Sequence, residues 1–444
     1  MGIGITQEQR ELAEAVRGWV ARAVPPEAGK VLDAPPGGTV RPGHWDGLSA
    51  QGFLGLHLPE AYGGGGGRLL DLAVALEETG RAALPGPYLP SVLASAVLAR
   101  ADGPRDLVAA LAAGECIGAV ALGAVSITAV AVEGGGYLLD GTAPPVLGGG
   151  EADLIVVAAE SADGTVWLAA DAADLAVRAH ESADPTRPTA EVRAQGARIP
   201  AGRVVGVGSA FSALVRDLAA VLFAADACGT AAWALHTATE YAKAREQFGR
   251  PIGQFQGIKH LCADMLVRVE QARALAWDAA RAAEADDEPD PDVRGLAAAA
   301  TALDAAYTCA KDCIQVLGGI GFTWEHDAHL HLRRAVVARR LLGPGDTHRL
   351  RAVRLAAAGA RRELKLELPP EAQPYRQQAR EVIEQARGLD PGAARRTLAP
   401  TGYAAPHLPP PYGLGAGPVQ QLAGGTTQVQ LNVVAERILG LPRD

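Results

Sequence analysis

The sequence predicts an α+β multidomain fold: an N-terminal helical domain, a middle antiparallel β domain and a C-terminal helical bundle. Three observations predict it. Apolar residues recur at helical spacing up to about residue 112. Short β-branched runs separated by glycine turns then follow, to about residue 206. Long Ala-rich apolar stretches return from about Ser209. With 444 residues, 48% of them hydrophobic, the chain is long enough for two or three domains and a sizeable core.

The first helix is announced by Thr6-Gln-Glu-Gln9, a capping box ahead of Leu12, Val16, Trp19 and Val20. This start reads as structure and not as a targeting segment. Breaks follow at Pro25-Pro26, Pro35 to Gly38, Gly63 to Gly67 and Pro85-Gly86-Pro87. Strands are expected at Ile127–Val132, Leu154–Ala158 and Val166–Leu168, with turns at Gly134–Gly136, Gly148–Gly150 and Asp163-Gly164. The most apolar run, Leu218 to His236, contains Asp226 and is short for a membrane span, so a buried helix is expected. Loops at Asp286 to Asp292 and Gly318 to Gly321 divide the later helices. The domain boundaries are placed at 1–112, 113–207 and 208–363.

Residues 364–444 carry an echo of the start. Gly402-Tyr-Ala-Ala-Pro-His-Leu-Pro-Pro-Pro-Tyr-Gly413 matches Gly52-Phe-Leu-Gly-Leu-His-Leu-Pro-Glu-Ala-Tyr-Gly63 in register at seven positions. Tyr375 to Gln385 likewise resembles Gln7 to Val16. The segment reads as the remnant of a second unit that lacks its own β domain.

A net charge of -9 argues against nucleic acid as the main partner, while 41 Lys and Arg leave room for local phosphate sites. Five cysteines at irregular spacing predict reduced thiols and a cytoplasmic setting. No metal site is predicted. Cys309 and Cys313 are only two ligands, and of His326, His329 and His331 only the first two would share a helix face. Glu77-Glu78 reads as a solvated helix end, and Gly63 to Gly67 as a flexible turn with no phosphate-loop Lys-Ser/Thr after it.

Two stretches carry chemistry. Tyr241-Ala-Lys-Ala-Arg-Glu-Gln-Phe-Gly-Arg-Pro-Ile-Gly-Gln-Phe-Gln256 places Arg245 one helical turn after Tyr241, and a guanidinium grips a diphosphate through paired hydrogen bonds. Gln315-Val-Leu-Gly-Gly-Ile-Gly-Phe-Thr-Trp324 sets an amide one turn ahead of Gly318-Gly319, where backbone N–H groups are open to approach. Together they resemble the acyl-CoA dehydrogenase family of flavoproteins. Phe322 to Arg334 is similar to a branch with actinobacterial steroid and lipid catabolism members. The final Gly424-Gly-Thr-Thr-Gln-Val-Gln430 resembles the segment before the family's last helix.

The resemblance implies FAD bound across a subunit boundary of a homo- or hetero-oligomer, an acyl-CoA substrate and an electron-transfer acceptor. It implies α,β-desaturation, with a carboxylate taking the α-proton while the β-hydrogen leaves as hydride to flavin N5. Carried over residue by residue, the FAD contacts are Arg245, Gln247, Phe248, Gln256, Gln315, Gly318, Gly319, Thr426 and Gln428.

The base is the point of departure. The usual Glu position before Gly-Thr is Gly424, and its counterpart at the end of the first unit is Leu342. The alternative position on the helix before the Tyr-x3-Arg motif is Ala219. Nearby carboxylates are Asp217 and Asp346, and Asp346, in Gly343-Pro-Gly-Asp, is the candidate base. The strand region Ala119 to Ser126 also lacks the family's Thr-Glu-Pro and Gly-Ser-Asp set. The expectation is a FAD-dependent acyl-CoA dehydrogenase that acts alone or with a base supplied by a partner subunit. The alternative is a catalytically deficient subunit or scaffold in a hetero-oligomer.

Overall fold

A computed structural model describes residues 4–24, 41–101, 103–283, 292–359, 373–405 and 427–443. The chain forms two compact units. The larger holds Ile5–Arg245 and Met265–Arg362, and the smaller holds Gly4, Glu246–Asp264 and the described residues beyond 362. The breaks expected at Pro25-Pro26 and Pro35 to Gly38 lie outside the described residues, as do Gly424 and Thr426. Of the loop at Asp286 to Asp292, only Asp292 is described.

The larger unit begins with helices α1 (Gln7–Ala23), α2 (Trp45–Ala50), α3 (Leu69–Arg81), α4 (Tyr88–Arg100) and α5 (Arg105–Ala112). The Thr6 hydroxyl accepts from Gln9 N–H at 3.2 Å and the Gln9 side chain accepts from Thr6 N–H at 3.0 Å, closing the expected capping box. The glycine run at 63–67 is a packed turn, not a loose one. Gly65, Gly66 and Gly67 N–H groups bond to the carbonyls of Gly55, Leu58 and Leu56. A Cβ on Gly64 would lie 2.2 Å from the Leu58 carbonyl oxygen, so glycine is there because two chain segments touch.

The middle region builds β1 (Gly118–Val120), β2 (Ile127–Ala131), β3 (Tyr137–Thr142), β4 (Val146–Leu147), β5 (Leu154–Ser161), β6 (Gly164–Asp171), β7 (Ala176–Ala179), β8 (Thr189–Ile199) and β9 (Val204–Val207). Their order is β4-β8-β3-β2-β5-β6-β9, with β1 on β5 and β7 on β8. The sheet is mixed and not wholly antiparallel as expected: β1 and β2 both run parallel to β5. Hairpin turns enforce antiparallel pairing only between strands joined directly. Here β3 and β4 intervene between β2 and β5, so the chain returns to pair in the same direction. Across β5 and β6, Ile155 faces Ala170, Val157 faces Leu168 and Ala159 faces Val166, one apolar stripe at period two.

Helices α6 (Gly208–Ala244), α7 (Gln256–Ala282, whose part from Met265 belongs here), α8 (Asp292–Leu317), α9 (Ala328–Leu342) and α10 (Gly345–Ala357) follow. In α6, 94% of the most apolar 18-residue window is buried in the fold, matching the expected core helix. Helices α3 and α6 meet backbone to backbone. A Cβ on Gly229 would lie 1.9 Å from the Glu77 carbonyl oxygen, and one on Gly80 would lie 2.3 Å from that of Asp226. This contact buries Glu77 and Glu78, which are not a solvated helix end. Arg273 meets Glu77 at 2.7 Å, and Arg17 and Arg81 meet Glu78 at 2.8 and 3.3 Å. Three arginines, Arg17 and Arg273 from distant sequence and Arg81 from the next turn, make the burial tolerable.

A second buried charge cluster joins the three layers of this unit. Arg187 donates to Asp226 at 3.1 Å and Arg334 donates to Asp226 at 2.6 Å. Arg187 also reaches Asp184 at 3.4 Å, and Arg334 donates to the Leu84 carbonyl and the Thr186 hydroxyl at 3.1 Å each. None of the four charged side chains is more than 3% exposed. Burial alone would raise the Asp226 carboxyl, but the Arg187 and Arg334 guanidiniums hold it below its ordinary value. The Asp226 contribution to stability is therefore present above the ordinary aspartate range and lost as pH falls through the depressed folded value. Asp226→Asn leaves two guanidiniums facing each other without their shared counter-charge. It should cost about 3–5 kcal/mol in urea unfolding at neutral pH, with the deficit shrinking as the pH is taken below the folded value. An unchanged unfolding midpoint would remove the cluster from its role.

The smaller unit contains a hairpin of β10 (Glu246–Gln247) and β11 (Arg250–Pro251), the first turns of α7, and helices α11 (Gln373–Ala386), α12 (Pro391–Leu398) and α13 (Thr427–Val433). The last continues as a wider π turn over Val434–Ile438.

Candidate cofactor site

The candidate residues fall into both units, and each set has its own geometry. In the larger unit, α6 stops at Arg245, whose backbone turns extended and whose N–H bonds to the Tyr241 carbonyl at 2.8 Å. Arg245 is exposed. At the end of α8, Gln315 is exposed one turn before Gly318, and a single 3₁₀ turn, Gly318–Phe322, carries the chain on. Gly318 sits at φ 64°, which favours glycine. Among the described residues a Cβ on Gly318 or Gly319 would meet nothing within 4 Å, whereas one on Gly321 would lie 2.9 Å from the Ile314 carbonyl oxygen. Gly321 is thus required by packing within the chain. Gly318 and Gly319 instead open a bare stretch of backbone to the outside beside an unencumbered amide. The end of a helix carries the negative pole of its dipole, so this corner suits a neutral N–H-bearing ring better than a phosphate.

In the smaller unit, Glu246 pairs with Pro251 and Gln247 with Arg250, leaving Phe248-Gly249 as the tip. Both tip residues have positive φ, 56° and 78°. Two successive positive values give the turn its type I′ character, which matches the twist of paired strands. Glycine accepts this freely, but a bulky aromatic pays roughly 1–2 kcal/mol for the left-handed region. Phe248 is nevertheless 91% exposed. Its ring meets Phe255 edge to face at 6.0 Å, and the Arg250 guanidinium lies over the same Phe255 ring at 4.3 Å. The strain maintains an aromatic and a cation on an open tip, where burial offers no return. Gln256 begins α7 and Gln428 lies in the first turn of α13, both exposed.

The candidate base is in open water. The Asp346 carboxylate is 86% exposed and is bound by Arg349 at 2.8 Å. Arg349 in turn meets Asp304 at 2.7 Å, and Arg339 meets the same Asp304 at 3.3 Å. Ala219 is fully buried in α6, and Asp217 lies 3.8 Å from the Arg351 guanidinium. The histidine segment is not arranged for a metal. His326 precedes α9 instead of sharing its face with His329, and His331 stacks on Trp233 at 3.7 Å. Burial, and then the Arg334 charge, push the His331 imidazole down to about 3, which keeps it neutral. Among the described residues no group of three or more His, Cys, Asp or Glu side chains is placed to hold a metal ion.

Residue patterns alone missed Lys259. It is 2% exposed, and its ammonium meets Glu436 at 2.8 Å. The available signal was a lysine on the same face as Cys262 and Ala263, which are both fully buried.

The tip makes a stability prediction. Phe248→Asn places a residue tolerant of the left-handed region ahead of Gly249. It should stabilise the apoprotein by roughly 0.5–1 kcal/mol in a denaturant titration. A loss of stability would mean that Phe248 is not strained.

The acyl-CoA dehydrogenase N-terminal domain matches residues 6–102 and the acyl-CoA dehydrogenase C-terminal domain matches residues 216–356. The chain is 39% identical over 427 residues to acyl-CoA dehydrogenase FadE34 of Mycobacterium tuberculosis, covering 94% of this chain and 57% of that relative. It therefore spans little more than half of FadE34. It is 36% identical over 338 residues to acyl-CoA dehydrogenase IpdE2 of the same organism, covering 76% of this chain and 93% of that relative. Among solved structures, the ChsE4-ChsE5 complex from Mycobacterium tuberculosis superposes with a TM-score of 0.75 at 28% identity, over 81% of this chain and 100% of that one. Two matched domains, a full-length relative and a shared fold lead to one conclusion: the chain belongs to the acyl-CoA dehydrogenase family.

Proposed function

We propose that this chain is a FAD-binding subunit of an acyl-CoA dehydrogenase that acts on an acyl-CoA thioester in an oligomer and draws its catalytic base from a companion chain. The observation that carries the reading is the hairpin tip. Phe248 is strained and stays 91% exposed although its ring edge meets Phe255, and beside Arg250 it suits a ring and a charge brought from outside. FAD, when bound, supplies the two-electron acceptor. Arg245 holds a diphosphate, Gln315 and the bare Gly318-Gly319 backbone take the adenine end, and Gln247, Phe248, Gln256, Thr426 and Gln428 complete the set across a subunit boundary. The open backbone at Gly318 and Gly319 fits such a group, because among the described residues nothing lies within 4 Å of where their Cβ atoms would be.

The need for a companion rests on the carboxylates. Abstracting the α-proton of a thioester takes a base shielded from water. Leu342 and Ala219 hold no carboxyl group, and Asp346 is solvated and engaged by Arg349. The relative ChsE4-ChsE5 is itself a complex of two chains, which supports a hetero-oligomer. A second unit reduced to fragments supports it too. We place the boundaries at 1–112, 113–207, 208–363 and 364–444. Gly402 follows α12 and its terminal 3₁₀ turn at φ 79°, and Gly52 follows α2 at φ 72°, the same left-handed stop at the matched position. The later part of that match, from residue 406 on, lies outside the described residues.

Anaerobic mixing of the flavin-loaded chain with a panel of straight-chain, branched and steroid-side-chain acyl-CoA thioesters tests this. The chain alone should bleach the flavin at least ~10²-fold more slowly than its mixture with a Glu-bearing family subunit. Fast bleaching by the isolated chain that is abolished in Asp346→Asn would instead make Asp346 the base and remove the companion from the account.

A further inference from the structure

We infer that the last helix, α13 with its π turn, is a brace that sets the position of the Phe248 hairpin, with Lys259 and Glu436 as positioning residues. Three bonds tie the terminal segment to the start of α7 and the turn before it. Lys259 donates to Glu436 at 2.8 Å. The His260 Nε2 and Asn432 Oδ1 atoms lie 3.1 Å apart, and the Gln254 side chain donates to the Arg443 carbonyl at 2.8 Å. Arg443 closes the set through its guanidinium, 3.5 Å from the second Glu436 oxygen. Ala435 and Leu441 of the same segment are buried.

The point of attachment matters. Gln254 is the neighbour of Phe255, and Phe255 is the ring on which both Phe248 and Arg250 rest. A bond from the terminal segment to Gln254 therefore fixes the platform, and the platform fixes the tip. Lys259 is 2% exposed, and the Glu436 carboxylate 2.8 Å away supplies a counter-charge to its buried ammonium. The wider π turn at Val434–Ile438 carries Glu436, and such turns inside helices are frequent at functional sites. Residues almost two hundred positions apart in sequence thus share one duty. The terminal helix contributes through the hairpin even without touching a ligand. The inference rests on the proposed cofactor role of that hairpin only for its functional meaning.

Hydrogen exchange on the full-length chain, without added flavin, tests it. In Glu436→Gln the amides of 246–251 should exchange about ten-fold faster, while those of β5 and β6 keep their wild-type rates. Glu436→Asp should recover most of the protection. Gln254→Ala removes an exposed bond and no buried charge, so it leaves folding intact and should speed exchange at 246–251 in the same direction. Unchanged exchange at 246–251 in both Glu436→Gln and Gln254→Ala, with α13 amides loosened, overturns the brace. Because no flavin enters this readout, a chain that never bound FAD would sink the cofactor reading and leave this result standing.

Discussion

The fold of the larger unit hangs on one carboxylate. Asp226 sits in the middle of the most apolar helix and neutralises two guanidiniums from different layers, Arg187 of the β region and Arg334 of α9. Through Arg334 the same cluster grips the carbonyl of Leu84, beyond the end of α3. Ion pairs this deep are poor sources of net stability, since the desolvation of each charge offsets much of the attraction. Their strength is selectivity. Any arrangement that slides one layer past another strands a buried charge, so one relative placement of the layers is singled out. The glycine contacts between α3 and α6 work in the same direction, because a helix pair in backbone contact has little freedom to shift.

That constraint bears on the proposed cofactor corner of the same unit. Arg245 ends α6, the helix that carries Asp226, and Gln315 with Gly318 and Gly319 ends α8. Both ends are exposed, yet the bodies of their helices are buried, so their backbones are held by packing remote from the site. Rigid elements presenting a few polar groups at their ends are what a preorganised binding corner requires.

Much of the fold was legible because its signals are local. The capping box at Thr6, the β-branched run Leu154–Ala158, and the length of the apolar run around Asp226 depend only on near neighbours in sequence. The partners of Glu77 and Glu78 were not legible. A pair of acids at a helix end looks solvated until Arg17, Arg81 and Arg273 arrive, two of them from far along the chain. The parallel run of β1 and β2 on β5 was hidden for the same reason, since pairing direction between strands that are not joined directly leaves no local mark. At the candidate site, the Gly318-Gly319 opening was readable from residue type, but the hairpin that puts Phe248-Gly249 at its tip was not, because a bulky aromatic at a left-handed position is no turn signal. The brace at Lys259 was not, because its counter-charge lies 177 residues away. Asp346 carried the right chemistry in sequence, and only its exposure and its partner Arg349 reveal how little shelter it has.

What remains is a family member with a proposed set of flavin contacts and with Gly424, Leu342 and Ala219, none of them a carboxylate, at the positions proposed for the base. Fluorescence titration of FAD with the apoprotein tests that claim most directly. Flavin emission should be quenched to a sharp endpoint at a fixed ratio of flavin to chain, with affinity rising as the protein concentration drives association, and Arg245→Ala should abolish the endpoint. Emission that stays unquenched across all protein concentrations, with and without a companion family subunit, would contradict it.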